Sequence, residues 1–145
     1  NLSQSSLSRA YLTEADLTGL KASQSMFMGA TLVKAKLPLA QLNDSIFSQA
    51  DLSLADFGRA NCAQSHFKEA VCRGTSFTRA DLSFADFSHA DLSGADMSRS
   101  TCYMVNLHGS TQELTNWEGA NTTRLRGDDK DLLEAEAWTP QGLQK

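Results

Sequence analysis

Apolar residues recur at every fifth position of this chain, and the recurrence runs without a slip through 22 units from Leu2 to Leu107. These centre positions hold eleven Leu, six Phe, three Cys, Met97 and Ala22, and none is polar. Two residues before each centre, from Ser5 to Ser110, a second column holds thirteen Ala, six Ser, Thr75, Leu20 and Val105, so size restricts it. Between the two columns Asp recurs, at Asp16, Asp51, Asp56, Asp81, Asp86, Asp91 and Asp96, with Asn61 and Asn106. The remaining two positions of each unit vary freely.

An α-helix turns by about 100° per residue, so a five-residue step would wind the centre column around its axis. A single extended strand fails as well, because its side chains alternate with period 2 and Leu82 and Phe87 would face opposite ways. The chain therefore turns once per unit. The expected path is a coil whose flat sides are short strand-like pieces joined at corners, with the centre and the small residue inside. A second periodicity counts the sides. The six centre phenylalanines, Phe27, Phe47, Phe57, Phe67, Phe77 and Phe87, all fall on numbers ending in 7, so they skip every other unit. Such alternation closes with an even number of sides, and four is the smallest that encloses a core. At twenty residues per coil, Phe27, Phe47, Phe67 and Phe87 stack on one wall. Leu37, Phe57, Phe77, Met97 and Trp117 stack on the opposite wall, and Leu82 and Leu92 belong to the two between. Coils spaced about 4.8 Å apart supply one another's hydrogen bonds, as parallel strands do.

Ala80-Asp81-Leu82-Ser83-Phe84, Ala85-Asp86-Phe87-Ser88-His89, Ala90-Asp91-Leu92-Ser93-Gly94 and Ala95-Asp96-Met97-Ser98-Arg99 resemble the A-(D/N)-(L/F)-x-x motif of the pentapeptide-repeat family. The resemblance implies an all-β fold, a right-handed quadrilateral parallel β-helix; the unit count gives about six coils, and the residues after the repeat suggest a short C-terminal capping helix. It also implies a non-enzymatic role through shape, surface charge and protein contacts. The pattern departs at Ala22, Leu20, Val105, Lys21, Lys36 and Gln112, and it fades after Ala120. Asp128 to Trp138 then reads as a helix ended by Pro140, with acidic residues at its start and Leu132, Leu133, Ala137 and Trp138 on one face. The expected division is a β-helix over residues 1–124 and a cap and tail over 125–145. A cap would cover the open face and strand edges of the last coil. The amino end shows no cap, which favours an upstream segment or end-to-end association, and a cap-mediated homodimer is a further expectation.

Composition narrows the function. Thirteen Lys and Arg against seventeen Asp and Glu give a net charge of −4, so direct binding of nucleic acid through a basic surface is not expected. No apolar run approaches the roughly 20 residues that span a bilayer, so neither is a membrane anchor. Cys62 and His66 invite a thiol-imidazole reading, but one is an inward centre and the other points outward. Cys62 and Cys102 share a column two coils apart, roughly 9.6 Å, too far for a disulfide, and Cys72 lies on another wall. Reduced thiols point to a cytoplasmic setting. His66, His89 and His108 occupy different columns without zinc-ligand spacing, so no catalytic residue, metal, cofactor or small-molecule substrate is expected.

The outward positions carry the candidate partner surfaces. Arg59, Arg79 and Arg99 share one column, which marks either an anion or acidic-partner site or a ladder partly neutralised by Asp56 and Asp96. Two apolar clusters are the others: Met26 over Ile46 with Met28 nearby, and Phe84 under Met104 with Tyr103 beside it. Isolated exposed apolar residues are also ordinary. The expected function is a protein-interaction or structural module within a longer bacterial protein. Two alternatives come with the resemblance. One is mimicry of duplex DNA against a topoisomerase such as gyrase, disfavoured because Asp81, Asp86, Asp91 and Asp96 encircle the rod rather than forming a stripe. The other is a terminal module of a secreted effector or type VI secretion accessory protein.

Overall fold

The structure, a computed structural model, describes residues 1–137 of the 145. Its backbone coils into a four-sided β-helix. Every parallel bridge joins residues twenty apart, from Ser6 with Met26 to Asn106 with Arg126, so each coil has four sides of five residues. The sides are shorter than strands. Each wall contributes one bridging residue per coil, because the chain turns again before a second can pair.

An account of the amide N–H groups explains the five-residue unit. In the unit around Phe57, the Asp56 N–H donates to Ala35 of the preceding coil at 2.9 Å, and the Phe57 and Arg59 N–H groups donate to Ser76 and Thr78 of the next, at 2.7 and 2.9 Å. The Ala60 N–H closes the corner on the Phe57 carbonyl at 2.9 Å. One donor remains, on Gly58, and the Asp56 Oδ1 atom accepts it at 2.8 Å. The same Asx bond recurs from Ser83 to Asp81, Ser88 to Asp86, Ser93 to Asp91 and Ser98 to Asp96. Asp and Asn are therefore frequent beside the centre because their side chains accept the one N–H that no coil neighbour reaches.

The corner itself requires left-handed backbone. At every fifth residue from Gln4 to Arg124 the φ angle lies between 53° and 67°. Glycine occupies six of these positions, including Gly94, and residues with a side chain occupy the other nineteen. Such residues are strained in this region, and the coil-to-coil bonds on both sides hold them there.

Inside the tube, Phe27, Phe47, Phe67 and Phe87 stack with centroids 4.5–5.1 Å apart and rings within 7° of parallel. Phe57 and Phe77 face them from the opposite wall, edge to face at 5.6–6.3 Å. These six phenylalanines, Leu82, Leu92 and Met97 are fully buried. Serine in the small column is accommodated by its own hydrogen bond: Ser25, Ser45 and Ser65 donate to the Leu2, Ala22 and Leu42 carbonyls at 2.6–2.8 Å.

Two boundaries differ from the sequence pattern. The turns continue beyond Ala120, since Asn121 bridges Thr101, Arg126 bridges Asn106, and Asn121 still accepts the Thr123 N–H. The helix α1 spans Lys130–Ala137, starting later than Asp128 because Asp129 is its N-cap, accepting the Leu132 N–H at 3.1 Å. Trp138 and Pro140 lie outside the described residues. No residue of α1 is buried, and Glu136 holds it against the side wall through His89 and His108.

Truncating Phe67 to Ala removes a ring from the stack and should cost about 3–5 kcal/mol in denaturant melts, while Ser83→Arg on the outside should leave the midpoint nearly unchanged. Gly94 has a φ of 67° and no atom closer than 3.9 Å to an added Cβ, so Gly94→Ala isolates the left-handed strain. It should lower stability by about 1 kcal/mol in the same assay.

Candidate functional site

The tube is filled, so any chemistry belongs to its outer walls. On the wall bridged by Lys36, Asp56, Ser76, Asp96 and Asn116, the position after each centre holds Pro38, Gly58, Thr78 and Ser98. These short residues make the wall recede. Beside it the corner column rises as Leu39, Arg59, Arg79 and Arg99, all exposed. Together they line a groove of about 510 Å³, with Asp56 and Glu118 also contributing.

Among the described residues, none of the three guanidiniums forms an ion pair, the pairs being Lys34–Glu14, Arg73–Asp91, His89–Glu136 and His108–Glu136. The two carboxylates expected to neutralise the ladder are engaged locally. Asp56 accepts the Gly58 N–H, and Asp96 accepts the Ser98 N–H at 2.9 Å and the Asn116 amide at 3.1 Å. Three cations thus stand in a column with their donors facing solvent.

The apolar candidates are smaller features. Met26 and Met28 are 43% and 45% exposed, whereas Ile46 is half-buried. Phe84 is 53% exposed and meets the half-buried Tyr103 edge to face at 5.4 Å, with Met104 half-buried beside them. Arg124 donates to the Tyr103 hydroxyl at 3.4 Å, which ties that cluster to the last coil.

Cys62, Cys72 and Cys102 are free thiols inside the tube. Burial pushes the Cys62 and Cys72 thiols far above the usual range, with Asp81 near the first and Asp91 and Asp51 near the second adding to it. Burial raises Cys102 too, partly offset by its contact with the Ser100 hydroxyl at 3.1 Å. Thiols held protonated are poor nucleophiles, and exposed His66 points away from Cys62.

A polar cluster departs from the sequence expectation of scattered histidines. His89 and His108 lie nineteen residues apart, one short of a coil, so they occupy adjacent columns on successive coils. Their rings meet edge to face at 5.3 Å. Glu136 of α1 reaches across, its Oε2 atom 3.3 Å from each Nε2. The one-short spacing was the readable signal for the histidines; the carboxylate, 28 residues beyond His108, left none.

A filled, four-walled tube with functional groups only on its faces defines the class as a β-solenoid. The protein-family model for pentapeptide repeats matches eight copies over residues 1–33, 25–61, 55–94 and 76–111, and the chain belongs to the pentapeptide-repeat family. Pentapeptide-repeat proteins are generally non-enzymatic interaction or structural modules.

Among solved structures it is similar to a trypsin-treated form of QnrB1, a plasmid-mediated fluoroquinolone resistance protein, at 17% identity over 97% of this chain and 93% of that one, with a TM-score of 0.53. It is also similar to HetL of the cyanobacterium Nostoc sp. strain PCC 7120, a pentapeptide repeat protein involved in heterocyst differentiation regulation. That match has 29% identity over 81% of this chain and a TM-score of 0.49, and it spans 64% of HetL. Comparison with curated protein sequences returned no match. Among the described residues no helix is long and apolar enough to cross a membrane.

The corner carboxylates make stability depend on acid. Burial raises the Asp91 and Asp96 carboxyls, but hydrogen bonds from Ser93 and Arg73, and from Ser98, Thr78 and Asn116, outweigh it and hold both below the usual carboxylate range. Thr18 does the same for Asp16. A folded-state value below the unfolded one, about 3.9, gives stability that is complete above that pH and is lost as pH falls through the folded value. Thermal melts should be flat from about pH 7 to 5 and decline below about pH 4. Asp91→Asn with Asp96→Asn, which keeps the Asx acceptors, should shallow that decline.

Proposed function

We propose that this chain is a non-enzymatic protein-interaction module whose Arg59–Arg79–Arg99 groove receives an extended, acidic segment of a protein partner. In this reading the right-handed rod has on the order of six coils, twenty residues each, and belongs to a longer bacterial protein in the cytoplasm. The three buried, unpaired thiols motivate that setting. One observation carries the proposal: among the described residues the three arginines of this column have no ion-pair partner, while their neighbouring carboxylates serve the backbone. Three arginines on successive coils, whose backbones lie about 4.8 Å apart, gather like charge on one column, and an anion bound among them would relieve the repulsion. Their forked donors suit carboxylates, and an extended chain can place carboxylates at intervals along a straight column. Leu39, 54% exposed, and Pro38 give the groove an apolar end suited to a hydrophobic residue of the same segment.

Duplex-DNA mimicry toward a topoisomerase draws no support from the surface. The aspartates lie on all four walls, many accept corner N–H groups, and the arginine column interrupts the acidity. Met26, Met28, Ile46, Phe84, Tyr103 and Met104 remain auxiliary contacts, and pairing of two copies end to end would use the partly buried first coil.

The test is fluorescence anisotropy with a labelled, extended Asp/Glu-rich peptide. Binding should weaken steeply with salt, and Arg79→Glu should reduce affinity at least tenfold (about 1.4 kcal/mol) without changing the melting temperature. Equal binding by Arg79→Glu would refute the reading.

A further inference from the structure

We propose that His89, His108 and Glu136 form a binding site for a zinc-class divalent cation that staples α1 to the wall of the β-helix. The inference is independent of the arginine groove, which lies on another wall.

The spacing of the three side chains fits a tetrahedral ion. Zinc bonds imidazole nitrogen and carboxylate oxygen at about 2.0–2.1 Å, so two ligands at a tetrahedral angle stand about 3.3 Å apart. Glu136 Oε2 lies 3.3 Å from His89 Nε2 and 3.3 Å from His108 Nε2, and all three ligand atoms fall within 4.8 Å of one another. The set of two imidazoles and a carboxylate leaves one tetrahedral position open.

The surrounding wall holds the two histidine ligands in place. His108 is anchored in the wall, its side chain only 7% exposed. His89 needs the absence of a side chain at Gly109, where an added Cβ would collide with its Nδ1 atom. The segment leading into α1 is fastened to the same place, Asp128 accepting the Gly109 N–H at 2.8 Å and the Asp129 N–H donating to His108 Nδ1 at 3.2 Å. Two ligands are therefore set by the repeat, and the third arrives on a helix with no buried residue of its own. A metal bond would supply the fastening that packing does not.

The protons can be followed. The Asp129 bond places the His108 proton on Nε2, facing Glu136. Cation binding takes the Nε2 lone pair of each imidazole, moves the remaining proton to Nδ1, and releases the Asp129 N–H, so affinity carries the cost of that exchange. Asp129 lines the same groove, and its second carboxylate oxygen, not used in capping α1, is the candidate acceptor for the His108 Nδ1–H. Lys68 and Arg126 also line it, which suits the open position to an anionic fourth ligand such as hydroxide or chloride.

The experiment uses the full chain stripped with chelator, titrated with Zn²⁺ alone by calorimetry and with Co²⁺ as an optical reporter. One ion per chain should bind, Co²⁺ giving a tetrahedral visible spectrum, and hydrogen exchange should show the amides of Lys130–Ala137 protected by Zn²⁺. Glu136→Gln keeps an acceptor for both imidazoles but loses the anionic ligand, and it should weaken binding at least tenfold, as should His89→Ala. Gly109→Ala should do the same by displacing His89, and the metal-free melting temperature of Glu136→Gln and His89→Ala should stay near that of the parent. No saturable binding, or equal binding by Glu136→Gln and His89→Ala, would overturn the proposal and leave a hydrogen-bonded clasp.

Discussion

Everything in this fold rests on the corner that closes every fifth residue. A left-handed residue bends the chain from one wall to the next there, which is costly for any residue with a Cβ, and nineteen of the corners have one. What makes the corner tenable is that its neighbours bond both up and down the axis. Coil-to-coil bonds take the N–H groups of the bridging, centre and corner residues, the turn takes that of the small residue, and aspartate or asparagine takes the fifth. A single coil would have the strain without the partners, which is the physical basis for cooperativity in such arrays.

That arrangement removes the interior from function. Phenylalanine rings from opposite walls meet in the middle, the cysteines are sealed and protonated, and buried hydroxyls already donate to carbonyls. The walls are different because most of their side chains lie outside the packed core. Residues twenty apart become a column, and residues nineteen apart become oblique neighbours. The arginine ladder uses the first relation and the histidine pair the second. Both features combine charge or ligand chemistry with a rigid spacing that a flexible loop could not maintain.

Much of the architecture was legible because five-fold periodicity allows so few paths. The centre column, the small column and the alternation of Phe with Leu or Cys established which residues are inside, how many walls there are, and that Phe67 stacks between Phe47 and Phe87. The role of aspartate and the left-handed corner were less visible. Both follow from backbone geometry, and the recurrence of Gly19, Gly29, Gly74, Gly94, Gly109 and Gly119 at one position of the five-residue unit was the trace left in the letters.

Counting along the chain was enough to reach the family, the inward and outward sides of the repeat, and the vertical alignment of Arg59, Arg79 and Arg99, since all of these depend on a period. It took the folded molecule to show that, among the described residues, the arginines have no ion-pair partner and line a groove, because the direction of a long side chain and the engagement of nearby carboxylates are not periodic quantities. Folding alone brought Glu136 to His89 and His108. Beyond Arg126 the chain leaves the repeat, and where a short helix comes to rest is set by contacts that no spacing encodes.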